Sequence, residues 1–163
     1  VFQALKERFS GMNEIPELKV GDKAPLFTLL DQEGNKVALG DFRGKQPVVL
    51  IFYPGDETPG CTAQLCAVRD DWSEFKKYKA AVYGINHADA NSHTKFWRHH
   101  GLKTPLLIDE GKKISAKYGA LRKYFRATII RRTVIVIDTQ GVIRYLRRGL
   151  PPTSEIVQAL KSL

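Results

Sequence analysis

Cys61 and Cys66 are the only two cysteines in a chain of 163 residues. Two thiols are too few for a disulfide scaffold, and their closeness in an otherwise Cys-free chain points to reactive partners. Their C-x4-C spacing is neither the C-x-x-C of a dithiol oxidoreductase nor half of a zinc site. The surrounding stretch, FYPGDETPGCTAQLC at 52–66, reads as a strand end, a Pro/Gly loop and the start of a helix. In the register that makes Thr58 the N-cap and Pro59 the first helical residue, Cys61 falls in the first turn. Backbone N–H groups there lack intrahelical partners, and the helix dipole favours an anion such as a thiolate. A free thiol is only a few per cent ionised near neutrality. The helix end supplies part of the stabilisation needed, and a nearby arginine would have to supply the rest. Gly60 and Pro59 place Cys61 at a loop mouth, which argues against an inert buried thiol.

Cys66 is harder to join to it. Five residues apart on an intact helix, the two Cα atoms are about 8.6 Å apart. A disulfide needs less than roughly 7 Å. A Cys61–Cys66 bond therefore requires the first helical turns to unwind. The alternative is that Cys66 simply packs beside Leu65.

The elements that must position this segment follow from periodicity. Phe27–Leu30 and Lys36–Leu39 flank a turn-rich DQEGN and predict a hairpin. Pro47–Tyr53 is unbroken in its hydrophobicity and predicts a central strand buried on both faces. Leu65, Val68, Trp72 and Phe75 share one helical face. Ala81–Ile85 predicts a second strand, SHTKFWRHHG a helix ended by Gly101, and Leu106–Ile108 a short strand. KKISAKYGAL predicts another helix, and ALRKYFRATIIRR a basic loop. Thr133–Asp138 and Val142–Leu146 form a closing hairpin, and a last helix starts after Pro152. The order β-α-β-α-β-α-β-β-α, preceded by a hairpin, predicts an α/β fold with a mixed sheet flanked by helices. Phe2, Leu5 and Phe9 suggest one amphipathic turn or two in a leader over 1–17, ahead of a single domain at 18–163.

Lys plus Arg number 26 against 17 Asp plus Glu, a formal net charge of +9. The excess crowds the last third, at RKYFR (122–126), Arg131, Arg132, Arg144, Arg147 and Arg148. No nucleic-acid-binding pattern accompanies it, so the reading is a solvated basic face with no nucleic-acid partner. His87, His93, His99 and His100 cluster on one segment without a cysteine or carboxylate at ligand spacing, and read as solvent-facing side chains rather than a metal site. No apolar run approaches the roughly 18 residues of a membrane span. The start VFQALKERFSGMNEIPELK lacks the apolar core of a secretory signal, which leaves the cytoplasm as the expected location.

F-Y-P followed by T-P-G-C-T, a second cysteine five residues on and then V-R-D closely resembles the peroxiredoxin Q group, also called bacterioferritin comigratory protein. The resemblance runs from about Leu18 to the end, through KVGDKAPLFTLLDQEG, TPLLIDEGKKISAKYG and RRTVIVIDTQGVI. It implies a thioredoxin-like fold with an N-terminal hairpin. It also implies reduction of hydrogen peroxide and organic hydroperoxides with electrons from thioredoxin or a similar dithiol. Carried over by position, Cys61 would be the peroxidatic cysteine and Cys66 the resolving one. Thr58 would hydrogen-bond thiolate and peroxide, Pro54 would shield the pocket from water, and Arg132 would be the active-site arginine. No metal, haem, flavin or nicotinamide cofactor is called for. The group is often monomeric, and a plastid location after removal of a transit peptide is the alternative to the cytoplasm.

Other classes fit less of the chain. A thiol–disulfide oxidoreductase lacks its C-x-x-C here. A basic binding module would explain the charge but not the P-G-C-T loop, and a cysteine hydrolase would need a histidine near Cys61.

Overall fold

The computed structural model describes residues 17–163; the leader and its expected amphipathic stretch lie outside the described residues, apart from Glu17. β1 (Thr28–Leu30) and β2 (Lys36–Ala38) form the expected antiparallel hairpin. The central sheet comprises β3 (Val48–Phe52), β4 (Ala81–Asn86), β5 (Leu106–Ile108), β8 (Thr133–Ile137) and β9 (Ile143–Arg148). Its order is β5-β4-β3-β8-β9. β3 runs parallel to β4 and antiparallel to β8, so the sheet is mixed. The helices are α1 (Pro59–Asp70), α2 (Trp72–Lys77), α3 (Ala90–His99), α4 (Lys113–Lys117) and α5 (Thr153–Lys161).

Two hydrophobic clusters explain why β3 is apolar at every position. Val48, Leu50 and Phe52 join Phe27, Val37 and Tyr118 on one face. Val49, Ile51 and Tyr53 join Leu65, Val68, Phe75, Phe96 and Ile156 on the other. Successive strand residues point to opposite faces, so a strand covered on both sides needs an apolar side chain at each position. Each such buried side chain contributes about 1.5–3 kcal/mol. No helix among the described residues is long and apolar enough to cross a membrane.

The structure differs from the sequence reading in local ways. The segment read as a basic loop is a second hairpin, β6 (Leu121–Tyr124) with β7 (Ala127–Ile130). Its turn holds Phe125 at φ +54°, a position usually given to Gly or Asn, which hid the turn from a composition-based reading. The helical face from Leu65 to Phe75 is split at Asp71, whose carboxylate accepts a hydrogen bond from Thr153 at the start of α5. α3 starts at Ala90 rather than Ser92, because the Asp89 side chain caps it by accepting from the Ser92 N–H at 2.9 Å. α4 is only five residues long.

Gly84 is the tight point of the sheet. A Cβ there would lie 2.8 Å from Leu106 Cδ2 and 3.2 Å from Tyr53 Cε1, both on fully buried side chains. Gly84→Ala is expected to destabilise the fold by about 1–3 kcal/mol through overpacking. Urea unfolding checks this, and an unchanged midpoint would show that Tyr53 and Leu106 yield freely.

Candidate active site

The site is assembled by strand register. In the β3–β8 pairing Phe52 lies opposite Thr133, so the chain leaving β3 passes the residues entering β8. Pro54 and Arg132 are thereby brought together, and both line a cavity of about 300 Å³. Arg122, Arg131 and Arg148 line the same cavity with Ile129 and Ile130. Part of the basic excess thus converges on this cleft, contrary to the expectation of a merely solvated face. Clustered cations with apolar walls raise the local positive potential and favour anions. Arg148 is held by Thr133, donating from Nη1 to Oγ1 at 2.7 Å. Burial, then the neighbouring Arg131, lower its pKa below the ordinary guanidinium value.

Gly60 explains which arginine faces the helix. A Cβ at that position would lie 2.6 Å from Arg132 Nη2 and 3.0 Å from Cζ. The guanidinium is packed directly on the glycine that precedes Cys61, while Arg131 is exposed. Arg132 Nη1 is buried and has no hydrogen-bond acceptor among the described residues. A buried donor without a partner is expensive, costing about 1–3 kcal/mol.

Thr58 is the N-cap and Pro59 the first residue of α1. No side chain caps the helix. The Thr58 hydroxyl instead donates to the Gly55 carbonyl at 2.9 Å, so the structure does not bring that donor onto Cys61. Cys61 itself is completely buried in the cluster with Tyr53 and Leu65, and it does not line the cleft. The expected loop-mouth exposure is therefore corrected: the thiol is packed inside the core cluster on this face of the sheet. Both cysteines are free, and Cys66 is half-buried. α1 is intact across both positions, the arrangement in which a Cys61–Cys66 bond is out of reach.

A network that the sequence reading missed anchors the loop before α1. Asp56 accepts from Tyr53 Oη at 2.7 Å and Ser92 Oγ at 2.6 Å, and its Oδ2 lies 2.7 Å from His93 Nδ1. His93 Nε2 lies 3.1 Å from the Leu107 carbonyl. Both ring nitrogens thus have a hydrogen-bond partner. Burial pushes the Asp56 carboxyl up, but hydrogen bonds from His93, Ser92 and Tyr53 outweigh it and hold the pKa below the ordinary value. Burial first, and Asp56 second, push the Tyr53 phenol well up. His93 is fully buried rather than solvent-facing. The signal was its place three and four residues before Phe96 and Trp97, on the core-facing stripe of α3, where a histidine must find partners.

Residues 20–146 match the model of the AhpC/TSA family. The chain is 44% identical over 157 residues to the chloroplastic peroxiredoxin Q of rice (Oryza sativa subsp. japonica), covering 94% of this chain and 71% of that one. The peroxidoxin BcpB of Mycobacterium tuberculosis superposes with a TM-score of 0.83 at 30% identity, over 90% of this chain and 99% of that one. The peroxiredoxin Q of Xanthomonas campestris shares the fold with a TM-score of 0.78 at 23% identity, over 83% and 90% of the two chains.

Asp56 gives a pH-dependent test of the loop anchor. Its pKa in the folded protein is lowered, so it contributes stability above its unfolded value of about 3.9. That contribution is lost as pH falls through the lower folded value. Asp56→Asn is expected to lose about 1–3 kcal/mol at neutral pH, because Tyr53, Ser92 and His93 converge on this carboxylate and an amide cannot accept from all of them. The variant should also unfold in urea with a flatter pH dependence below about pH 4. An acid slope equal to that of the parent would contradict the network.

Proposed function

This chain belongs to the AhpC/TSA family and is a thiol peroxidase of the peroxiredoxin kind, and on that premise we propose that Cys61 attacks the peroxide and Cys66 resolves the product. The observation that carries the reading is the Arg132 guanidinium packed on Gly60, at the first turn that holds Cys61. It sets a permanent cation and unpaired helix N–H groups at the helical turn that carries this thiol.

The thiolate sulfur attacks one peroxide oxygen, so an S–O bond forms while the O–O bond breaks. The departing oxygen leaves as an alkoxide or hydroxide and takes up a proton to give alcohol or water. Negative charge grows on that oxygen, and Arg132 Nη1, buried without an acceptor among the described residues, is a donor available to stabilise it. Pro54 and the apolar cleft walls limit water, and Thr58 becomes a further donor only if its hydroxyl leaves the Gly55 carbonyl. Cys61 is left as a sulfenic acid, and the Cys66 thiol condenses with it, expelling water and forming the disulfide. An external dithiol of the thioredoxin type then reduces the disulfide by exchange.

The intact α1 supports a mechanism with a conformational step between the two stages. Gln64 makes that step easier. It is buried in α1, and neither end of its amide has a partner among the described residues. Unwinding would return those groups to water and recover part of their desolvation penalty. The rice relative is named as chloroplastic, which favours the plastid over the cytoplasm for this chain.

Reduced protein mixed with one equivalent of hydrogen peroxide should lose both thiols to an internal disulfide, as read by mass spectrometry. Cys66→Ser should accumulate a trappable sulfenic acid, and Cys61→Ser should show neither product. Arg132→Met should slow the loss of thiols by about 10²–10³. Thiols that persist in the parent as long as free cysteine would overturn the proposal.

A further inference from the structure

We propose that Glu57, His99 and His100 form a binding site for a divalent transition metal such as zinc, bridging the loop before α1 and the end of α3. Three residues supply donors at one point. His99 Nδ1 lies 3.0 Å from Glu57 Oε1, and His100 Nε2 lies 2.8 Å from Oε2. One donor atom from each residue can be chosen so that all lie within 4.8 Å of one another, the one such trio found among the described residues. Imidazole nitrogen and carboxylate oxygen are the ligand types zinc accepts, at about 2.0–2.2 Å. Tetrahedral bonds of that length set donors about 3.3 Å apart. The trio therefore needs only small side-chain movements, and a fourth position is left for water.

Adjacent residues inside a helix point about 100° apart and do not converge on one ion. Here α3 ends at His99, and His100 leaves the helix as its C-cap. The two rings come to 4.3 Å between centroids, tilted by 36°. The His100 ring stands edge-on to buried Phe96 at 5.4 Å, and its backbone carbonyl accepts from Arg69 of α1. Glu57 meets them from the other side with φ +59°, a left-handed conformation that bulky residues rarely adopt. Such local strain persists only where surrounding contacts over-determine it. As exposed ion pairs these contacts would contribute little to stability.

The site lies four residues before Cys61. A bound metal would tie the loop to α3 and oppose unwinding of the first turn of α1. This consequence rests on the two-cysteine mechanism proposed above, whereas metal binding does not. Arg69, the cation that donates to the His100 carbonyl, has its guanidinium paired with Asp70 at 3.0 Å.

Zinc chloride titrated into the Cys61→Ser/Cys66→Ser protein, followed by calorimetry, removes thiol ligation and tests the site by itself. We expect one equivalent to bind, and His99→Ala or His100→Ala to weaken it at least tenfold. Loss of an outer hydrogen-bond partner alone costs a metal site about 10–100-fold. Cobalt substituted for zinc should show the visible absorption of a tetrahedral site without sulfur ligands. No saturable binding, or binding unchanged in the histidine variants, would overturn the site. With the cysteines restored, one equivalent of zinc should slow disulfide formation severalfold, and this effect should vanish in His99→Ala/His100→Ala. An equal effect in that variant would refute the coupling to α1 and leave the binding result standing.

Discussion

A guanidinium resting on a glycine is the contact on which the rest of the site depends. Arg132 can approach the first turn of α1 only because residue 60 has no side chain: a single methyl group would lie 2.6 Å from Nη2. The approach also requires the antiparallel register of β3 and β8, which sets Phe52 opposite Thr133 and aligns the exit of one strand with the entrance to the other. A shift by one residue would turn the side chains of β8 to the other face of the sheet. β3 and β8, buried at every position and apolar except at Thr133, hold that register. Core packing and catalytic geometry are in this sense one constraint, since the clusters on the two sheet faces fix where the cation meets the helix.

α1 faces opposing requirements. It must be wound to keep Cys61 in the first turn, next to the Gly60 on which Arg132 packs, and unwound for Cys66 to reach the oxidised sulfur. The helix carries signs of limited stability at its first turns. It has no side-chain cap, Gly60 lies in its first turn, and the Gln64 amide is buried without partners among the described residues. The loop before it is anchored differently. Asp56 ties residues 53–56 to Ser92 and His93 of α3, and His93 in turn reaches Leu107. Glu57 adds a second tether to His99 and His100. These tethers confine the mobile portion to the residues after Thr58, so the cleft of Pro54 and Arg132 can persist while α1 opens.

Much of the architecture was legible in the sequence because its signals are periodic. The continuous run at 47–53, the hairpin around DQEGN and the Thr58–Pro59 start of α1 all matched local patterns that tertiary context did not override. The hairpin at 121–130 was not legible, since Tyr124-Phe125-Arg126 is no common turn and Phe125 adopts a left-handed backbone. Site residues divided in the same way. Cys61 stood out by type and position. The burial of its thiol did not, because the core cluster that encloses it draws on residues from Val49 to Leu160. Asp56 and His93 are 37 residues apart and meet only through the packing of α3 on the sheet. His99 and His100 read as unpartnered solvent-facing side chains because the carboxylate that joins them, Glu57, is more than forty residues away.

Amide hydrogen exchange over residues 59–66, compared between the reduced protein and the protein oxidised by one equivalent of peroxide, tests the central claim most directly. Unwinding of α1 predicts slow exchange there when reduced and fast exchange once the disulfide has formed, with β3 and β8 protected in both states. Equal protection of residues 59–66 in the oxidised form would contradict it, because a wound helix keeps Cys61 and Cys66 too far apart to bond.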